Sequence, residues 1–163
     1  MRYLTMAALA AFAWPQTGMA QAAKPIDTGY IEQCFTSARV GEVAPACISQ
    51  AARHCSETTG GTTLDYSECL MAETAHWDAI LNSQYQSLRA DFTAQDADAA
   101  TGNHDLAGQL LDAQRAWIAF RDADCGLVYA QWIDGSHRVI AAGFCHLNKT
   151  AQRAIELRDM GGE

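Results

Sequence analysis

The chain has 163 residues, with eleven Lys and Arg against nineteen Asp and Glu, a net charge of −8 when histidines are neutral. That balance disfavours nucleic acid and anionic membrane as partners and admits a basic protein. The length suffices for one domain with a real core, about 140 residues once an N-terminal leader is removed.

The leader is residues 1–22, which read as a secretory signal peptide. Arg2 gives a positive start, residues 4–14 form an uncharged apolar run, and Gly18-Met19-Ala20 or Ala20-Gln21-Ala22 supplies a cleavage site. The run is too short and wrongly flanked for a spanning helix. No Cys follows it until Cys34, so a lipid-modified N-terminal Cys and a membrane anchor are not expected. Cleavage removes Arg2 and leaves ten basic against nineteen acidic side chains, or −9. Residues 23–163 are then expected to form a single helical domain, periplasmic or secreted.

Two short helices are expected over residues 30–39 and 45–55. Gly60-Gly61-Thr62-Thr63 ends one element and opens the next, with Thr62-x-x-Asp65 as a capping box. From there Leu70, Trp77, Leu81, Tyr85, Leu88 and Phe92 fall on one stripe at steps of three and four, which predicts a long amphipathic helix. The polar stretch 93–105 is expected to break it. Leu106, Leu110, Trp117, Cys125, Val128 and Trp132 mark a second long helix. Asp134-Gly135-Ser136 reads as a turn with Ser136 as N-cap. Ile140, Phe144, Leu147, Ala151 and Ile155 form the last stripe. The fold class is all-α: an antiparallel bundle of two long hairpin helices, a C-terminal helix and short N-terminal helices.

Six cysteines in an exported chain read as a disulfide framework, and none has the short spacing of a zinc site. In an antiparallel hairpin, residues at one level are equidistant from the turn. The midpoint of Cys125 and Cys145 falls on Gly135, that of Cys55 and Cys69 on Thr62, and that of Cys34 and Cys47 beside Gly41. Cys47 and Cys55 would lie about 12 Å apart on one helix, too far to bridge. The pairing Cys34–Cys47, Cys55–Cys69 and Cys125–Cys145 is therefore the physically preferred one.

Gln114 and Arg121 occupy the middle of the second long helix's apolar face, and a buried guanidinium there needs a partner. With the connecting turn near residue 99, Arg121 faces Trp77 and Asp78, Trp117 faces Leu81, and Gln114 faces Tyr85. The expectation is a buried structural clasp of Arg121 with Asp78, Glu73 or Asn82 that sets the register of the two helices.

Glu73-x3-Trp77-Asp78-x2-Leu81-Asn82-x2-Tyr85-x2-Leu88, followed by Gln114-x2-Trp117-Ile118-x2-Arg121-Asp122-x2-Cys125, resembles the lysozyme-inhibitor LprI-like family of exported bacterial domains. Cys145 and Thr150-x2-Arg153 fit the same pattern, and the resemblance covers residues 47–158. It implies a compact, helical, cysteine-bridged periplasmic domain and, by the family's name, inhibition of lysozyme. The lipoprotein cysteine of some relatives is absent.

Catalysis has little support in the residues. His54, His76, His104, His137 and His146 form no H-E-x-x-H spacing, and no G-x-S-x-G is present. No catalytic residue, metal or cofactor is expected. The leading reading is an inhibitor of c-type lysozyme or a related cell-wall hydrolase, with the acidic chain steered to a basic lysozyme-like protein. The inhibitory loop would be 93–105 or 56–63. The alternatives are an envelope-interaction module without effect on lysozyme, and a small-ligand or metal binder using the histidines.

Overall fold

The computed structural model of the chain describes residues 24–98 and 105–162. The signal-peptide reading of residues 1–22 lies outside them, as do His104 and the rest of 99–104 in the 93–105 connection. Among the described residues all regular structure is helical: α1 (Thr28–Ser37), α2 (Gln50–Thr59), α3 (Thr63–Ala97), α4 (Leu106–Gln131) and α5 (His137–Gly161).

Local chemistry sets most of these boundaries. Asp27 caps α1 by accepting from Gly29 N–H. Thr62 and Asp65 form the expected capping box at the start of α3. Hydrogen bonds from the Lys24 ammonium and the Thr62 hydroxyl hold the Asp65 carboxyl at a pKa of about 2. Gly60 ends α2 in the left-handed region at φ 115°, where a side chain would be strained.

Two expected boundaries move. The helix expected from residue 45 begins at Gln50, because 45–49 form a turn and Ser49 sits at φ 77°. Helix α3 runs through the expected break at 93 to Ala97, since Thr93 returns its hydroxyl hydrogen bond to Arg89 O and the segment holds no Pro or Gly. Ser136 stands at the start of α5 as expected, but its side chain makes no capping bond.

Helix α3 is the spine and packs most extensively on α5. Tyr66 meets Phe144 edge-on at 5.5 Å near one end, while Leu88 and Asp91 share a small cleft with Leu157 and Gly161 near the other, so α3 and α5 run parallel. Gly143 permits their close approach: a Cβ there would fall 3.1 Å from Leu70 Cδ1. Helix α4 runs back alongside, antiparallel to α5. The core is Leu70, Trp77, Leu81 and Leu88 of α3 against Leu147, Ala151, Ala154, Ile155 and Leu157 of α5. Ile31 of α1 and Ala51 and Ala52 of α2 complete it from the far side.

The three disulfides are Cys34–Cys47, Cys55–Cys69 and Cys125–Cys145, the pairing that the turn midpoints select. Helix α4 is peripheral: only Leu110, Gln114 and Cys125 are buried. Phe144 meets Tyr66 in the first turns of α3, and Cys145 is bonded to Cys125. Beyond that level, the end of α4 and the start of α5 form a hairpin tip that is exposed among the described residues.

Candidate functional site

The motif residues separate into a buried half and a surface half. Glu73, Trp77, Leu81, Gln114 and Cys125 are buried. Glu73 accepts hydrogen bonds from the amides of Ser49 and Ala52 at 2.9 and 2.7 Å and from Trp77 Nε1 at 3.2 Å. Two of its donors are the amides of the α2 N-cap, Ser49, and of the third helical residue, Ala52, and the Ser49 side chain itself makes no capping bond. A carboxylate from α3 therefore caps α2 in the helix's favourable field. Tyr85 is half-buried, and its hydroxyl finds no hydrogen-bond partner among the described residues.

The expected clasp does not form. Arg121 pairs with its neighbour Asp122 at 2.9 Å and lies 5.0 Å over the Trp117 ring. Asp78 instead accepts from Asn82 at 2.9 Å, and Glu73 is committed to α2. Gln114 does not face Tyr85 but accepts from Arg153 Nε of α5 at 3.0 Å. The reason is the choice of neighbour: α3 packs on α5 rather than along α4, so burial falls on the arginines of α5. Arg153 and Arg158 are 7% and 8% exposed. With solvent at its edge and a half-exposed partner, Arg121 contributes little to folding. Arg121→Ala is expected to lower stability by about 1 kcal/mol or less, well short of the roughly 3–5 kcal/mol of a stranded buried charge. A thermal melt of the variant checks this.

Arg121 does line a groove. Met71, Thr74, Ala75 and Asp78 of α3, Arg121 of α4, and Gly143 and His146 of α5 line an open depression of about 380 Å³. Burial, and then the charge of Arg121, pull the His146 pKa below its ordinary value, while Asp122 opposes them. The other described histidines lie apart: His54 against Tyr30, His76 beside Glu32, and His137 against Trp132.

The second surface feature is the hairpin tip. Leu127, Tyr129, Trp132, Ile133 and Val139 are all exposed, Trp132 to 50%. Trp132 stacks edge-on with His137 at 4.7 Å, and Arg138 sits over Tyr129 while donating to Ile133 O at 2.6 Å. These contacts shape a polar-edged apolar end, the composition of a protein-contact surface. In the sequence Val128 and Trp132 fall on the core stripe, and the expected contact residues lie in the polar loops 93–105 and 56–63. The available signal is Leu127 and Tyr129, apolar residues off the stripe of α4, with Ile133 just after it.

The sequence profile described as "Lysozyme inhibitor LprI" matches residues 55–157. An uncharacterized protein of Rhizobium meliloti (strain 1021) is 29% identical over 120 residues, 72% of this chain and 85% of the relative. No solved structure matches the chain.

Proposed function

Because the chain belongs to the LprI lysozyme-inhibitor family, we propose that it is an exported inhibitor of a c-type lysozyme or related cell-wall hydrolase. The observation that carries this reading is the family match across α3, α4 and most of α5. Three disulfides suit an oxidising compartment, and residues 1–22 supply the export signal. No helix of the described residues is long and apolar enough to cross a membrane. The rest of the chain, residues 23–163, acts as one binding domain and not as a catalyst.

The α4–α5 tip is the contact surface that best suits the role. It is rigidly held at its base by the Cys125–Cys145 bridge, and it presents Trp132 and Ile133 without rearrangement. The 56–63 turn is largely polar and offers no comparable anchor. The net charge of −9 left once residues 1–22 and their Arg2 are removed steers the chain toward a basic enzyme, and the tip then supplies the desolvated contact. Calorimetric titration of the purified chain into c-type lysozyme should show saturable binding. Raising the salt should weaken it chiefly through the association rate, because exposed charges are screened over about 8–10 Å. Trp132→Ala combined with Ile133→Ser should weaken binding about ten-fold or more with helicity unchanged. Undiminished binding by that variant would move the contact elsewhere on the chain.

A further inference from the structure

The groove between α3, α4 and α5 has the features of a small-molecule site, apart from the hairpin tip and independent of any lysozyme contact. At about 380 Å³ it lies near the lower end of the range for small-ligand sites. Its charged groups are held in place from behind. Arg121 is only 18% exposed; Trp117 supports its guanidinium face, and its Nε is committed to Asp122. Its two terminal nitrogens donate to no acceptor among the described residues. Asp78, also on the groove wall, is held by the Asn82 amide through one oxygen and pairs with no cation among the described residues. Thr74 turns its hydroxyl proton inward to Leu70 O at 2.7 Å and leaves only an acceptor. Met71, Ala75 and Gly143 supply apolar floor between the charges.

A simple anion entering this groove would meet Asp78, with Asp122 close behind Arg121, and a simple cation would meet Arg121. A ligand carrying both signs satisfies both walls. We propose that the groove binds a small zwitterion of amino-acid or dipeptide size, its carboxylate on the free nitrogens of Arg121 and its ammonium on Asp78. His146, neutral at neutral pH, adds one donor and one acceptor beside them.

The test is a titration of the purified, fully disulfide-bonded chain with alanyl-alanine, followed by two-dimensional amide and side-chain NMR. N-acetyl-alanyl-alanine removes the probe's positive charge, and alanyl-alaninamide removes its negative one. Saturable shifts are expected at Met71, Thr74, Arg121 and His146, and each blocked probe should bind about ten-fold more weakly. In Arg121→Gln the free acid and the amide should bind alike. In Asp78→Asn the free amine and the acetylated probe should bind alike. Arg121→Lys should keep a preference for the free acid. Spectra away from the groove report whether each variant is folded. Three outcomes overturn the proposal: no saturable shift of these residues at millimolar dipeptide, equal binding of all three probes to wild type, or charge preferences that survive in both folded variants. None of them touches the lysozyme reading, which the tip variant tests separately.

Discussion

Glu73→Ala is expected to lower the stability of the fold by about 3–5 kcal/mol, the largest effect of any single substitution considered for this chain. The side chain is 1% exposed and accepts three hydrogen bonds, from the amides of Ser49 and Ala52 and from the Trp77 indole. Its removal leaves three buried donors without an acceptor, each costing about 1–3 kcal/mol before relaxation. It also removes the negative charge at the start of α2, where nothing local replaces it, since Ser49 makes no capping bond. Glu73→Gln is expected to cost roughly half as much. The amide oxygen still serves Ser49 and Trp77, but its NH₂ then faces the Ala52 amide, donor against donor. Urea unfolding measures both, as a shift in midpoint at constant slope. A Glu73→Ala midpoint equal to wild type would remove Glu73 from its place as the cap of α2.

Arg158→Ala follows at about 2–4 kcal/mol, because one guanidinium closes the end of α1 onto the end of α5. Arg158 donates to the carbonyl oxygens of Phe35 and Ala38, the latter at 3.1 Å, and lies over the Phe35 ring at 5.2 Å. These carbonyls belong to the last turn and C-cap of α1, where no intrahelical donor reaches them. The same guanidinium holds Asp159 at 2.9 and 2.7 Å, and Asp159 in turn accepts from Gly41 N–H at 2.8 Å. Substitution strands two carbonyls and a largely buried carboxylate together. Arg158→Lys should recover only a minor part, since an ammonium lacks the planar fork that reaches all three acceptors. The deficit should also depend on pH. Burial pushes the Asp159 carboxyl up, but the Gly41 amide and Arg158 outweigh it and leave the pKa below its ordinary value. A carboxylate depressed in this way contributes stability above its unfolded pKa of about 3.9 and loses it as pH falls through the folded value. The gap between wild type and Arg158→Ala should therefore be full at neutral pH and narrow in acid, read from thermal unfolding at both.

What could be read from the sequence was local. The stripe from Leu70 to Phe92 and the Thr62–Asp65 box define α3 almost to its ends, because a helix's own period and caps are written in consecutive residues. Hairpin geometry then gave the cysteine pairing, since a turn's position fixes which residues share a level. What could not be read was which helix lies against which. Arg121, Arg153 and Arg158 all sit within helical stretches, and periodicity placed Arg121 on an apolar face. Only the packing of α3 on α5 decides that Arg153 and Arg158 are buried and Arg121 edges a groove. The capping of α2 by Glu73 was hidden for the same reason, since it joins residues more than twenty positions apart. The exposed tip was half-legible: Trp132 reads as core on its own helix, and its exposure follows from where α3 begins.

Inhibition of lysozyme through the end of the α4–α5 hairpin should show in the clearing of a cell-wall suspension. Purified chain with all three disulfides formed should slow clearing by c-type lysozyme in proportion to its concentration, and the variant carrying Trp132→Ala and Ile133→Ser should need about ten-fold more protein for the same effect. Clearing that proceeds at full rate with tens of micromolar wild-type chain would contradict inhibition of lysozyme and leave an envelope-interaction module as the better reading.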